Sequence, residues 1–153
     1  MKVVSVHGIP DNSQITGGFQ YIHFFDSFRI TLQTTKDIDE IQRQLMKMPG
    51  WVDFLMNIRN KIVRIFGLKT ERNEEQNTYF KCISRNENEI VMGEDDKHLN
   101  FRASILTDRK NHYIYLTTAV HFNNALGKVY FFFIKPFHKI IMRSLLKRLP
   151  GNL

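Results

Sequence analysis

Apolar positions along the chain change their period several times, and each change marks an element. From Phe19 to Thr34 the residues are aromatic and β-branched, and Phe28, Ile30 and Leu32 alternate with Arg29, Thr31 and Gln33. That two-residue period predicts a half-buried strand. After Thr35 the spacing becomes three to four. Ile38, Ile41, Leu45 and Met48 predict a helix capped by Thr35 or Asp37, and Pro49-Gly50 ends it. Trp51, Phe54, Leu55, Ile58, Ile62, Val63, Ile65 and Phe66 predict a second helix, stopped by Gly67. Residues 71–77 read as a polar loop.

Four strands are predicted next, at Tyr79–Ser84, Glu89–Gly93, Leu99–Thr107 and His112–His121. The gaps between them are short and rich in Asn, Asp, Gly and Lys, so they are hairpins and the sheet is antiparallel. In the third, Leu99, Phe101, Ala103 and Ile105 share one face; in the fourth, Ile114, Leu116, Thr118 and Val120 do. The last element starts at Asn123-Asn124, an N-cap pair, and runs from Ala125 to Leu149. Its stripe is Leu126, Tyr130, Phe133, Phe137, Ile140, Ile141 and Leu145, with a kink expected at Pro136. A strand over Lys128–Ile134 competes, because Val-Tyr-Phe-Phe-Phe-Ile is β-prone; one long helix is preferred. Residues 1–18 hold turn formers without a sustained period and read as an entry arm before one domain over residues 19–153.

This order predicts an α+β fold: a curved antiparallel sheet with two short helices and a long C-terminal helix packed on it, the helix-grip arrangement. A length of 153 residues suits one domain with a real core.

Charge sharpens the picture at one end. The net charge is +7, yet residues 1–96 carry 12 basic and 14 acidic side chains. Residues 97–153 carry 10 basic side chains and the single acidic Asp108. A cationic terminal helix is first a solvated outer face and second a surface that attracts anionic groups. The longest apolar run, Val129–Ile134, lies between Lys128 and Lys135 and is far short of the ~20 residues that span a bilayer. No secretory leader is read at the start, and the lone Cys82 offers neither an intramolecular disulfide nor a zinc site, so a soluble cytoplasmic protein is expected.

Several segments, taken together, carry a resemblance. They are Pro49-Gly50-Trp51-Val52 leading into Leu55-Met56-Asn57-Ile58-Arg59-Asn60, then Phe66-Gly67-Leu68-Lys69-Thr70 and the run from Gly93 to Arg102. Thr117-Thr118, Asn124-Ala125-Leu126-Gly127-Lys128 and Lys135-Pro136-Phe137-His138 complete the set. The chain resembles the family catalogued as domain of unknown function 2867. That family is similar to the START and birch-pollen-allergen superfamily, which implies a helix-grip fold enclosing an apolar ligand cavity between sheet and terminal helix. Family members also occur as the tail of NAD-binding reductase-like proteins; this chain lacks the Gly-rich nucleotide fold. The resemblance implies a fold and no reaction.

Candidate chemistry concentrates in two places. Asp95-Asp96-Lys97-His98 with Arg102 is the most polar cluster, and it has the residue types of a cation site or an acid–base pair. A hairpin turn, with the carboxylates on backbone amides and Arg102 paired to one of them, explains the same residues and is preferred. Thr117, Thr118, His121, Asn124 and His138 gather at the strand-to-helix corner, where His121 reads either as a base or as a structural corner histidine. The leading expectation is a non-catalytic module that binds a small apolar or lipid-like molecule. Its walls would be Phe28, Trp51, Leu55, Phe101, Leu116, Phe133 and Phe137, its polar anchors Arg59, His98 and Arg102, with His121 nearby. The rival is an enzyme of the cyclase or hydratase type, using His98 or His121 as base with Asp96 in support. A third reading docks the basic terminal helix on an anionic membrane. No cofactor, metal or specific nucleic-acid partner is expected.

Overall fold

A computed structural model describes residues 2–47, 50–65 and 80–153; the side chains of Trp51, Val52, Phe54, Leu55, Met56, Arg59, Ile62, Val63 and Asn152 lie outside that description. The elements are β1 (Val4–Val6), β2 (Phe24–Thr31), α1 (Ile38–Leu45), α2 (Gly50–Ile65), β3 (Lys81–Arg85), β4 (Glu89–Asp95), β5 (Leu99–Asp108), β6 (Tyr113–Phe122) and α3 (Ala125–Asn152). The strands form one antiparallel sheet in the order β1-β2-β6-β5-β4-β3. This is an α+β architecture: short turns link β3 to β6 as a meander, and β2 adds to the far side of β6.

Register decides which residues share a face. Phe28 pairs with Leu116, Leu116 with Ile105, and Ile105 with Ile90, so one apolar band runs across four strands. Ile38, Ile41 and Leu45 of α1, together with Met142, Leu145, Leu146 and Leu149 of α3, close over that band. Burial of this kind is the main stabilising term, at about 25 cal/mol per Å² of apolar surface. Asp37 caps α1, its carboxylate accepting from the Glu40 amide at 2.8 Å. Asn124 caps α3 by accepting from the Gly127 amide at 3.0 Å.

Gly127 is there for contact. A Cβ at that position would lie 2.0 Å from the His98 carbonyl oxygen, so the helix start can meet the β4–β5 turn only without a side chain. Asn123 strengthens the same junction, its amide donating to the His98 carbonyl at 2.9 Å.

The structure departs from expectation in three ways. First, the arm is part of the fold. Val4–Val6 adds an edge strand to β2, and Ile9, Ile15, Phe19 and Ile22 pack on Val91 and Ala119, on the sheet face away from the helices. Second, β2 begins at Phe24 and not at Phe19, because Phe19 and Ile22 leave the ladder for that packing. Third, the terminal helix turns a different stripe inward. Tyr130, Phe131, Met142, Leu145, Leu146 and Leu149 are buried, whereas Leu126, Phe133, Phe137 and Ile140 are exposed. The helix is apolar nearly all round over its first half, so periodicity fits either side. It continues across Pro136 as one element, and the competing strand over Lys128–Ile134 does not form. The expected end of the second helix at Phe66–Gly67, the 71–77 loop and Tyr79 lie outside the described residues.

Candidate functional site: a cationic groove along the terminal helix

Alternation places Phe24, Asp26 and Phe28 of β2 on the face that α3 crosses. Lys135, Lys139 and Arg143 recur every four residues along α3 and form one row. Lys135 Nζ sits 5.0 Å from the Phe24 ring centre, and the Arg143 guanidinium carbon sits 5.7 Å from that of Phe28. Eight helical residues and four strand residues each advance about 12–13 Å, so helix and strand stay in step over this stretch. Cations over aromatic faces are mildly attractive, which holds the row above the strand.

Asp26 lies between those ends, with Thr118 of β6 as its cross-strand partner. Its Oδ1 is 3.3 Å from His138 Nε2, and the two side chains are only 11% and 13% exposed. Asp26 Oδ2 and Thr118 Oγ1 are buried without a hydrogen-bond partner. Buried polar atoms are costly when unpaired, so this pair is a place for a ligand atom or a bound water. A groove of about 360 Å³ opens beside it. Val6, His7, Phe25, Asp26, Phe28, Lys139 and Arg143 are among its walls. Apolar surface is thus set against a cationic rim, while the carboxylate in the wall is already engaged by His138. The two cations on the rim favour an anion at that side of the groove.

The residues singled out from sequence are dispersed. Phe28 is buried and serves both core and groove, whereas Leu116 lies wholly in the core. Phe101 stacks on Phe80 at 4.8 Å between ring centres. Phe133 and Phe137 are on the outer surface of α3 and line no interior. His98 is buried, and its Nδ1 accepts from Asn124 Nδ2 at 2.9 Å, tying the β4–β5 turn to the helix cap. Arg102 donates to Asp95 Oδ1 at 2.7 Å, the turn pairing that sequence favoured, and lies over the Phe19 ring. His121 donates from Nδ1 to the Tyr21 carbonyl at 2.7 Å, so it anchors the arm and not the helix start. Its ring meets His23 at 4.6 Å. Partial burial first, then the charges of His121 and Lys128, hold His23 below the usual imidazole range. His98, His121 and Arg102 therefore share no site, and the side chains of Trp51, Leu55 and Arg59 lie outside the description.

Sequence reading missed Asp26, and it took Lys135, Lys139 and Arg143 as part of a cationic helix without their alignment over β2. The signal for Asp26 was present: a lone carboxylate in Phe24-Phe25-Asp26-Ser27-Phe28, on the same face as Phe24 and Phe28 by alternation. Among the described residues no group of three His, Cys, Asp or Glu could hold a metal ion.

Fold and groove together define an α+β protein with one six-stranded antiparallel sheet and a cationic groove along its terminal helix. The chain belongs to the family described as Protein of unknown function (DUF2867), whose model matches residues 18–145. No curated protein and no solved structure matches it.

Proposed function

We propose that this chain is a binding module for a small amphiphile, with an apolar body and an anionic head, seated in the groove between β2 and α3. The observation that carries the reading is Lys139 and Arg143 standing beside Phe28 and Asp26 in one groove, with the Arg143 guanidinium over the Phe28 ring. The acidic head would meet the cations and the apolar body would cover the aromatics. The groove lies beside the core band at Phe28, Ile105 and Leu116, on which side chains of α1 and α3 pack. The order of elements, with a long terminal helix laid across one sheet face, supports the helix-grip reading and with it the START-like comparison.

The test is calorimetric titration with dodecyl phosphate and with dodecanol. Dodecyl phosphate binds the wild-type chain, and dodecanol binds more weakly. Each of Lys139→Ala and Arg143→Ala costs about 1.5 kcal/mol, close to tenfold in affinity. Equal affinity for the two probes, or unchanged binding by both variants, overturns the reading.

One observation favours a second reading, the enzyme class. His138 is paired with Asp26, and Asp26 is a wall residue of the groove. An acid–base reaction in the groove runs through that pair, so Asp26→Asn abolishes it while leaving dodecyl phosphate binding intact.

A further inference from the structure

The outer side of α3 is apolar where a water-facing helix carries polar residues. Leu126, Val129, Phe133, Phe137 and Ile140 recur every three or four residues and make one ridge; all are exposed, Phe133 and Ile140 each at 55%. Phe132 stands beside them at 74% exposure, its ring edge-on to Phe133 at 5.6 Å. The core does not use these side chains, and neither does the groove. A contiguous ridge of this size marks a contact surface.

Charge selects the occupant. Lys128, Lys135, Lys139, Arg143 and Lys147 run along the same helix, and no carboxylate follows Asp108 in the chain. A protein partner would need an acidic groove of matching length, whereas an anionic lipid leaflet supplies negative charge and apolar depth together. At 28 residues α3 is about 42 Å long, and no helix among the described residues is long and apolar enough to cross a membrane. A helix with bulky aromatics on one side and only Lys and Arg beside them lies flat at the headgroup boundary.

We infer that the outer face of α3 docks this protein on an anionic membrane, with Phe132, Phe133 and Ile140 inserted among the acyl chains and the flanking cations on the headgroups. The docking surface stands on the exposed ridge, and Lys128 and Lys147 are cations of α3 that the groove does not use.

The experiment is co-sedimentation of the full chain with phosphatidylcholine vesicles, and with vesicles containing about one third phosphatidylserine. Binding to the second set exceeds the first and falls as salt rises. Replacing Phe132 and Phe133 together by Ser weakens binding about a hundredfold, since each buried aromatic is worth at least tenfold. Lys128→Ala and Lys147→Ala each weaken it about fivefold. All four positions are exposed, so thermal melts confirm that the variants fold. Dodecyl phosphate titration of the ridge variants separates the two proposals: retained groove binding with lost vesicle binding supports docking by the ridge alone. Equal sedimentation with both vesicle types, ridge variants that sediment like wild type, or a ridge-dependent dimer without vesicle binding overturns the inference.

Discussion

Glu89 gives the sharpest stability prediction, because three donors converge on a carboxylate that is 1% exposed. Ser13 Oγ and Ser104 Oγ both donate to Oε1, and the Gln14 amide donates to Oε2 at 2.8 Å. Replacing Glu89 by Ala strands the Gln14 amide, which can only donate, and removes the acceptor of two hydroxyls. One orphaned buried donor costs about 1–3 kcal/mol and each lost hydroxyl bond about 1 kcal/mol, so Glu89→Ala destabilises by about 3–5 kcal/mol. At about 2–4 °C per kcal/mol for a chain of this size, the melting point falls by roughly 10 °C. Glu89→Gln behaves differently. Its one carbonyl oxygen serves the Gln14 amide, its two N–H groups serve the serine hydroxyls, and each hydroxyl rotates to accept. The cost is then about 1 kcal/mol. Urea denaturation measures both variants, and hydrogen exchange localises the effect: in Glu89→Ala the amides of residues 14–22 lose protection before those of β5. Equal damage from Gln and Ala, or an Ala variant within about 1 kcal/mol of wild type, refutes the reasoning.

Two further outcomes are expected. Gly127→Ala destabilises by about 2 kcal/mol in urea denaturation, despite the better helix propensity of Ala, because its Cβ would meet backbone oxygen at 2.0 Å. His23, whose pKa is lowered, binds its proton later in the folded than in the unfolded chain as pH falls; the unfolded chain therefore holds more protons in that window. Stability from this group is complete above the unfolded pKa and is lost as pH falls through the folded one. Proton NMR titration of His121→Gln moves the His23 midpoint up only part of the way, since burial is the larger cause.

Much of the framework was legible because it is local. Turn chemistry at Asn86, Asp108 and Asn111 fixed the meander, and Asn124 marked the start of α3 within a residue. The arm was not legible, since Ile9, Ile15 and Phe19 are scattered among turn formers and acquire meaning only against Val91 and Ala119. Glu89 likewise reads as an ordinary surface charge until Ser13, 76 positions away, comes to it. The groove was hard to read for a related reason. Histidines and adjacent carboxylates attract attention in a sequence, but His98, His121 and Arg102 hold turns and the arm together. The groove is built from commonplace lysines whose value lies in their alignment over a strand. In α3 the ambiguity was orientation: an apolar helix has no pattern that distinguishes the core side from the contact side.

The step-matching of α3 and β2 constrains how such a groove can diverge. Two residues of helix cover about the same distance as one of strand, so Lys135, Lys139 and Arg143 act as graduations against Phe24, Asp26 and Phe28. On the proposed binding function, exchanging a graduation would change the headgroup charge that is read, without moving the sheet. Deleting one strand residue throws Asp26 to the opposite face and breaks the scale altogether. The charge along the helix is therefore free to drift at three positions, while the spacing of those charges is locked to that of a strand.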